Sequence, residues 1–196
     1  MTDYFALLGE PRRPWLDPER VKATFHRLSR ERHPDQQQAA ADDGAFAELN
    51  AAQETLRQPK LRLRHLLALE FPEVAVSGPA SVPPALADEI FPIQTLLTKL
   101  DVFLQKKSAA SSAITRALLA AEGLVLQDEA AARLADLETK YAALLDELRA
   151  FDAKYWDSNN NCLLTVPAKL LGFYHAFAYL TRWLEQFRER IFQLGI

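Results

Sequence analysis

The chain has 196 residues, enough for one large domain or two small ones, and is 49% hydrophobic and 25% charged. A net charge of −3 argues against a general nucleic-acid binder, and a single cysteine, Cys162, excludes an internal disulfide and a cysteine-based metal site. With 6 glycines, and Ala and Leu dominating the second half, helix is favoured over strand. The opening Met1-Thr2-Asp3-Tyr4-Phe5 lacks a basic region followed by an apolar run, and charges interrupt every later apolar stretch. The expectation is a cytoplasmic protein without a membrane span.

A first short helix is expected over Asp3–Leu8, stopped by Gly9, followed by the proline-rich Glu10-Pro11-Arg12-Arg13-Pro14-Trp15. Asp17 reads as an N-cap with Pro18 at the first helical position, and Leu16 and Val21 are placed to staple that entry. Val21, Phe25 and Leu28 give the second helix one apolar face, and Pro34 ends it near Arg32. After a polar loop a third helix begins at Asp42 or Asp43, with Phe46, Leu49, Ala52 and Leu56 as its buried stripe. Pro59 breaks it, and a fourth segment runs through Leu61, Leu63, Leu66 and Leu67 to Glu70.

Residues 71–84 read as a semi-rigid linker carrying Pro72, Pro79, Pro83 and Pro84. Beyond it, heptad-type seams recur. The first is Leu86, Ile90, Ile93, Leu97, Leu100 and Leu104; the second is Leu134, Leu137, Tyr141, Leu144, Leu148, Phe151 and Tyr155. The third is Leu170, Phe173, Phe177, Leu180, Leu184, Phe187, Ile191 and Leu194. Residues Ser111 to Leu124 are helical too, as an extra helix or as part of a bent one, and Pro92 either kinks the first bundle helix or marks its start. The expected fold is all-α: a helical hairpin unit at 1–70, the linker at 71–84, and an antiparallel three- or four-helix bundle at 85–196.

The feature with chemical content is His33-Pro34-Asp35, an imidazole, a rigid proline and a carboxylate in the loop of the hairpin. Lys22, His26 and Arg30 stand one turn apart on the preceding helix with Arg27 beside them, a cationic stripe suited to steering an acidic partner. Glu31 and Gln36 flank the loop. With Asp3-Tyr4-Phe5, Leu7-Leu8-Gly9 and Asn50-Ala51-Ala52-Gln53-Glu54-Thr55-Leu56 around it, this pattern resembles the J domain over roughly residues 1–70. The resemblance implies docking on a DnaK-type chaperone, with Asp35 as charge partner of an arginine, His33 as a hydrogen-bonding contact and Pro34 as the shape element. The partner hydrolyses ATP, and this chain is no enzyme.

The order J unit, linker, helical bundle, with the opening Asp3-Tyr4-Phe5-Ala6-Leu7-Leu8-Gly9, resembles the HscB family of iron–sulfur cluster assembly co-chaperones. That resemblance implies a client, an iron–sulfur scaffold protein, held on the first bundle helix at Leu86, Glu89, Ile90 and Phe91. Alternatives are a J protein with an unrelated client and a helical scaffold whose J-like unit is inactive. Tyr174, Tyr179, Trp183 and Phe192 lie off the seam and are expected mainly in the core, while Phe91 is either second-layer core or a client contact. His26, His33, His65 and His175 lack metal-ligand spacing, so no metal or cofactor is expected and His65 and His175 read as structural.

Overall fold

The computed structural model describes residues 2–31, 43–74, 81–156 and 165–195. Among these the secondary structure is helical, in seven α-helices: α1 (Tyr4–Leu8), α2 (Pro18–Glu31), α3 (Asp43–Arg57), α4 (Pro59–Glu70), α5 (Ile90–Ala109), α6 (Ala113–Phe151) and α7 (Val166–Leu194). A 3-10 turn, Pro84–Glu89, leads into α5, and a π turn, Asp152–Trp156, follows α6.

The chain divides into two compact units. One is Met1–Pro79 with Asp146–Tyr174, the other Ala80–Leu145 with His175–Ile196. The break between Pro79 and Ala80 falls within the segment 71–84, and residues 146–174 group with the N-terminal residues. The pairs involved span more than a hundred residues of sequence, where helical periodicity carries no signal.

In the first unit the helix boundaries follow from local chemistry. Asp3 caps α1, its Oδ1 accepting from the Phe5 and Ala6 N–H groups at 3.0 and 3.2 Å. Gly9 ends the helix at φ 64°, a left-handed position that glycine occupies without a Cβ penalty. Asp17 Oδ1 accepts from the Glu19 N–H at 3.0 Å, and α2 starts at Pro18. α1, α2 and α4 all pack on α3. Phe5, Leu8, Leu16, Val21, Leu49, Ala52, Leu56, Leu63, Leu66 and Leu67 are buried.

Phe46, expected in this core, is 49% exposed. The inward stripe of α3 keeps 4-3-4 spacing by taking the half-buried Ala45 before Leu49, Ala52 and Leu56, which leaves Phe46 a sixth-turn or more to one side.

In the second unit, ion pairs set helix direction. Lys99 meets Glu129 and Lys106 meets Glu122, so α5 and α6 are antiparallel. Arg188 reaches Glu138 at 2.8 Å and the Tyr141 and Phe177 rings meet edge to face at 5.2 Å, so α6 and α7 are antiparallel too. Arg190 grips Asp101 through Nε and Nη2 at 2.8 and 3.0 Å, and Lys107 Nζ donates to the Leu194 carbonyl, so α7 returns parallel to α5. The bundle therefore has three long helices. Residues 113–124 are the first turns of α6 rather than an extra helix, capped by Ser112, whose Oγ accepts from the Thr115 N–H at 3.0 Å.

The core of this unit contains Leu86, Ile93, Leu97, Leu100, Phe103, Leu126, Ala130, Leu137, Leu180, Trp183, Leu184, Phe187 and Leu194. The first seam shifts slightly from expectation. α5 starts at Ile90, with Pro92 in its first turn, so Leu86 in the 3-10 turn and the helix are out of phase. Ile90 is 37% exposed, and Phe103 is buried beside a partly buried Leu104. Of the off-seam aromatics, Trp183 is buried and Tyr179 packs against the core, but Phe192 is 85% exposed, because it lies one residue past the inward Ile191.

Candidate functional site: a cationic helix face and an apolar bundle face

The loop residues His33, Pro34 and Asp35 lie outside the described residues; the helix that leads to them does not. Lys22, His26, Arg27 and Arg30 of α2 are all solvent-exposed. Arg27 Nη1 pairs with Glu31 Oε1 at 2.9 Å, one turn on, so part of the stripe's charge is neutralised at its loop-proximal end. The opposite face carries the buried Val21. Arg20, nearer the helix start, turns instead to Glu10, whose buried carboxylate it meets at 3.2 Å.

The stripe keeps its place because several side chains fasten the unit. Arg12 donates to Asp3 Oδ2 through Nη2 at 2.7 Å and to Glu70 through Nη1 at 2.8 Å, joining the cap of α1 to the end of α4. Burial pushes the Asp3 carboxyl upward, but the hydrogen bonds from Arg12 and from the Ala6 and Phe5 N–H groups, with the Arg12 charge, outweigh it and hold Asp3 below the ordinary carboxylate value.

His65 Nε2 accepts from the Tyr4 N–H at 3.1 Å, and its ring stacks on Tyr4 and Phe5 with centroids 4.7 and 5.7 Å apart. The acceptor role requires the neutral ring. Burial lowers the His65 pKa in the same sense, offset in part by Asp3. Arg62 is buried, and its Nε and Nη1 donate to the Pro14 and Leu56 carbonyls at 2.8 and 2.6 Å. It thereby closes the C-terminus of α3 and fixes the α1–α2 connection. Sequence reasoning missed Arg62, which reads as one more helical arginine.

Also missed was the cluster around Asp152. This carboxylate is buried, accepts from Arg13 Nη2 and Nε at 2.7 and 3.1 Å, and accepts from the Trp15 N–H at 3.4 Å. The Arg149 guanidinium lies 5.0 Å from the Trp15 ring centre, a cation–π contact.

The four residues expected on a client face separate. Leu86 is buried in the bundle core. Glu89 is held by Arg133 at 2.9 Å and by Lys140, both also bound to Asp136 at 3.1 and 2.9 Å. Lys140 loses by desolvation, but Glu89 and Asp136 outweigh that and raise its pKa; Lys140 in turn lowers that of Asp136. Ile90 and Phe91 face solvent, Phe91 at 81% exposure. Phe91 heads an uncharged exposed row with Thr95, Thr98 and Val102 at 4-3-4 spacing. The two threonine hydroxyls donate to the Phe91 and Gln94 carbonyls at 2.8 Å, which turns their polarity inward to the helix.

Among the described residues no group of three or more His, Cys, Asp or Glu side chains is placed to hold a metal ion, and no helix is long and apolar enough to cross a membrane. These features define a class of protein: an all-α chain whose first helices include the exposed cationic face of α2, followed by a bundle of three long helices.

Residues 3–65 match the family model described as "DnaJ domain", and the chain therefore carries a DnaJ domain over those residues. It is 37% identical over 78 residues to "Chaperone protein DnaJ" of Acaryochloris marina, covering 40% of this chain and 20% of that one. It is 40% identical over 63 residues to the protein of the same name from Ureaplasma parvum, covering 32% and 16%. The chain thus spans about a fifth or less of the length of the curated relatives it matches. Among solved structures, "Chaperone HscB from Vibrio cholerae" aligns over 96% of this chain and 98% of that one, at 18% identity and a TM-score of 0.46.

Proposed function

We propose that the chain is a co-chaperone: its J domain docks on a DnaK-type chaperone and stimulates that partner's ATP hydrolysis, while the bundle presents a client protein. The observation that carries this reading is the DnaJ-domain match over residues 3–65 with His33-Pro34-Asp35 at the loop and an exposed Lys22–His26–Arg27–Arg30 face leading to it. A fixed cationic face raises the encounter rate with an acidic surface, and the loop then supplies the specific contacts. Asp35 is the charge partner, His33 the hydrogen-bonding contact, and Pro34 the element that sets loop shape. Catalysis belongs to the partner, and the reading places the protein in the cytoplasm.

The client face in this reading is the row Phe91–Thr95–Thr98–Val102 with Ile90, an uncharged strip more than two helical turns long. The client is an iron–sulfur scaffold protein, on the strength of the order of J unit, linker and bundle and of the opening Asp3-Tyr4-Phe5-Ala6-Leu7-Leu8-Gly9. Leu86 and Glu89 contribute by positioning this face rather than by touching the client.

Two binding measurements test the proposal. Affinity for an ATP-loaded DnaK-type chaperone falls in Asp35→Asn; equal affinity for both chains contradicts the docking role. Capture of an iron–sulfur scaffold by the intact chain is lost in Phe91→Ala. Retention of a scaffold by that variant moves the client elsewhere, and failure of the parent chain to capture one removes the iron–sulfur assignment.

A further inference from the structure

The first turns of α6 are apolar on two opposite faces. One face meets the bundle: Leu126 and Ala130 are buried, Gly123 is buried, and Leu119 packs against the core. The other face meets solvent. Ile114 and Leu118 are 75% and 76% exposed, Leu124 and Val125 more than half exposed, and Ala117 and Ala121 lie exposed between them. Ile114, Leu118, Ala121 and Val125 step by 4-3-4, the spacing of a coiled-coil seam, flanked on one side by Ala117 and Leu124. A solvated helix face ordinarily carries charge, yet this strip carries none along three turns. The nearest charged flank, Glu122, is turned to Lys106 of α5 at 3.5 Å.

We propose that this strip is a self-association surface, on which a second copy of the chain packs its own residues 114–125 antiparallel about a two-fold axis. The argument rests on self-complementarity. With the axis between positions 119 and 120, Ile114 faces Val125 of the other copy, Leu118 faces Ala121, and Leu124 faces Ala117. Every contact then sets a larger side chain against a smaller one, which lets two helices approach without a void. Thr115 and Glu122 fall on the other flank, so no like charges oppose each other. A parallel pairing would instead set Ala121 on Ala121 beside Leu118 on Leu118, and would align the two helix dipoles.

The strip offers four large apolar side chains and two alanines per copy, a smaller surface than the roughly 800 Å² per partner of a standard stable interface. The association is therefore a weak, concentration-dependent one. It uses a different helix from the client row on α5, so it is independent of the client assignment.

Sedimentation equilibrium of the intact chain from about 5 to 500 µM, a range that brackets weak association, tests this. The expected result is a reversible monomer–dimer equilibrium that Leu118→Glu abolishes with the helical circular dichroism unchanged, since Leu118 is solvent-exposed, and that Phe91→Glu leaves intact. A second variant, Ala121→Leu, fills the layer where small faces large and weakens dimerisation without adding charge. A chain that stays monomeric across the whole range overturns the proposal. So does a dimer insensitive to Leu118→Glu, and so does a strip whose substitution leaves mass unchanged but impairs capture of another protein.

Discussion

His65 links the two ends of the J domain through one nitrogen. Its Nε2 takes the Tyr4 N–H at the start of α1, which only the neutral ring does, and burial lowers its pKa below the ordinary 6.5. The unfolded chain therefore binds a proton that the folded one resists. Stability contributed by this group is complete above about pH 6.5 and declines as the pH falls toward the lowered folded value. Urea midpoints measured between about pH 7.5 and 5 fall with acidity, and His65→Phe flattens that fall. It does not remove it, because burial lowers the His175 pKa in the same sense.

Arg62 is the second residue with a disproportionate role, as its guanidinium serves two backbone carbonyls from a buried position. Arg62→Met keeps the aliphatic stem but abandons both acceptors, and the expected loss is about 3 kcal/mol. Asp152→Asn weakens a bidentate pair whose arginine is partly exposed, so its cost is smaller, about 2 kcal/mol. Equilibrium unfolding checks both, and a loss below about 0.5 kcal/mol in either variant contradicts these anchoring roles.

At the scale of elements, the proposed docking role of the cationic α2 face predicts an effect that acts at a distance and weakens with salt. Charge reversal at Lys22 and Arg30 together is expected to slow association with a DnaK-type chaperone about tenfold at low ionic strength, with the gap closing as salt is added. Stopped-flow association rates read this directly. Glu31→Gln frees Arg27 from its partner and shifts the rate the other way. Equal rates for all three chains at low salt would remove α2 from the encounter.

The elements most legible in the sequence are those set by neighbours within a few residues. Asp3 and Gly9 bracket α1, Asp17 and Pro18 start α2, and heptad spacing exposes the seams of α6 and α7. Phase is harder to read than period. Phe46 and Ala45 are adjacent, and only packing against α1 and α2 decides which one turns inward. The same holds for Phe192 beside Ile191. Residues 111–124 read equally as an extra helix or as part of a longer one, and with no proline to interrupt them, 113–124 form the first turns of α6. The pairs Arg13–Asp152 and Arg62–Pro14 were invisible because their partners lie 139 and 48 residues away.

At the scale of the whole molecule, the proposed reading divides the work between two parts of the chain: residues 3–65 would supply the charged docking face of α2 with His33-Pro34-Asp35, and the bundle has uncharged exposed rows on α5 and α6. His33-Pro34-Asp35, to which the proposed reading gives the chaperone-facing role, were legible as a motif because their chemistry is local to three positions. The proposed client face was less legible: of Leu86, Glu89, Ile90 and Phe91, two are occupied in holding the bundle together, and only solvent exposure separates them from the pair left facing outward.

In the proposed function this chain drives ATP hydrolysis by a partner through His33-Pro34-Asp35. Single-turnover hydrolysis by a DnaK-type chaperone, with the chain added in excess, measures that most directly. Stimulation by the parent chain, lost in His33→Gln and in Asp35→Asn while thermal stability is kept, is the predicted result. Equal stimulation by parent and variants, or none by any of them with every DnaK-type partner available to the chain, would contradict the account.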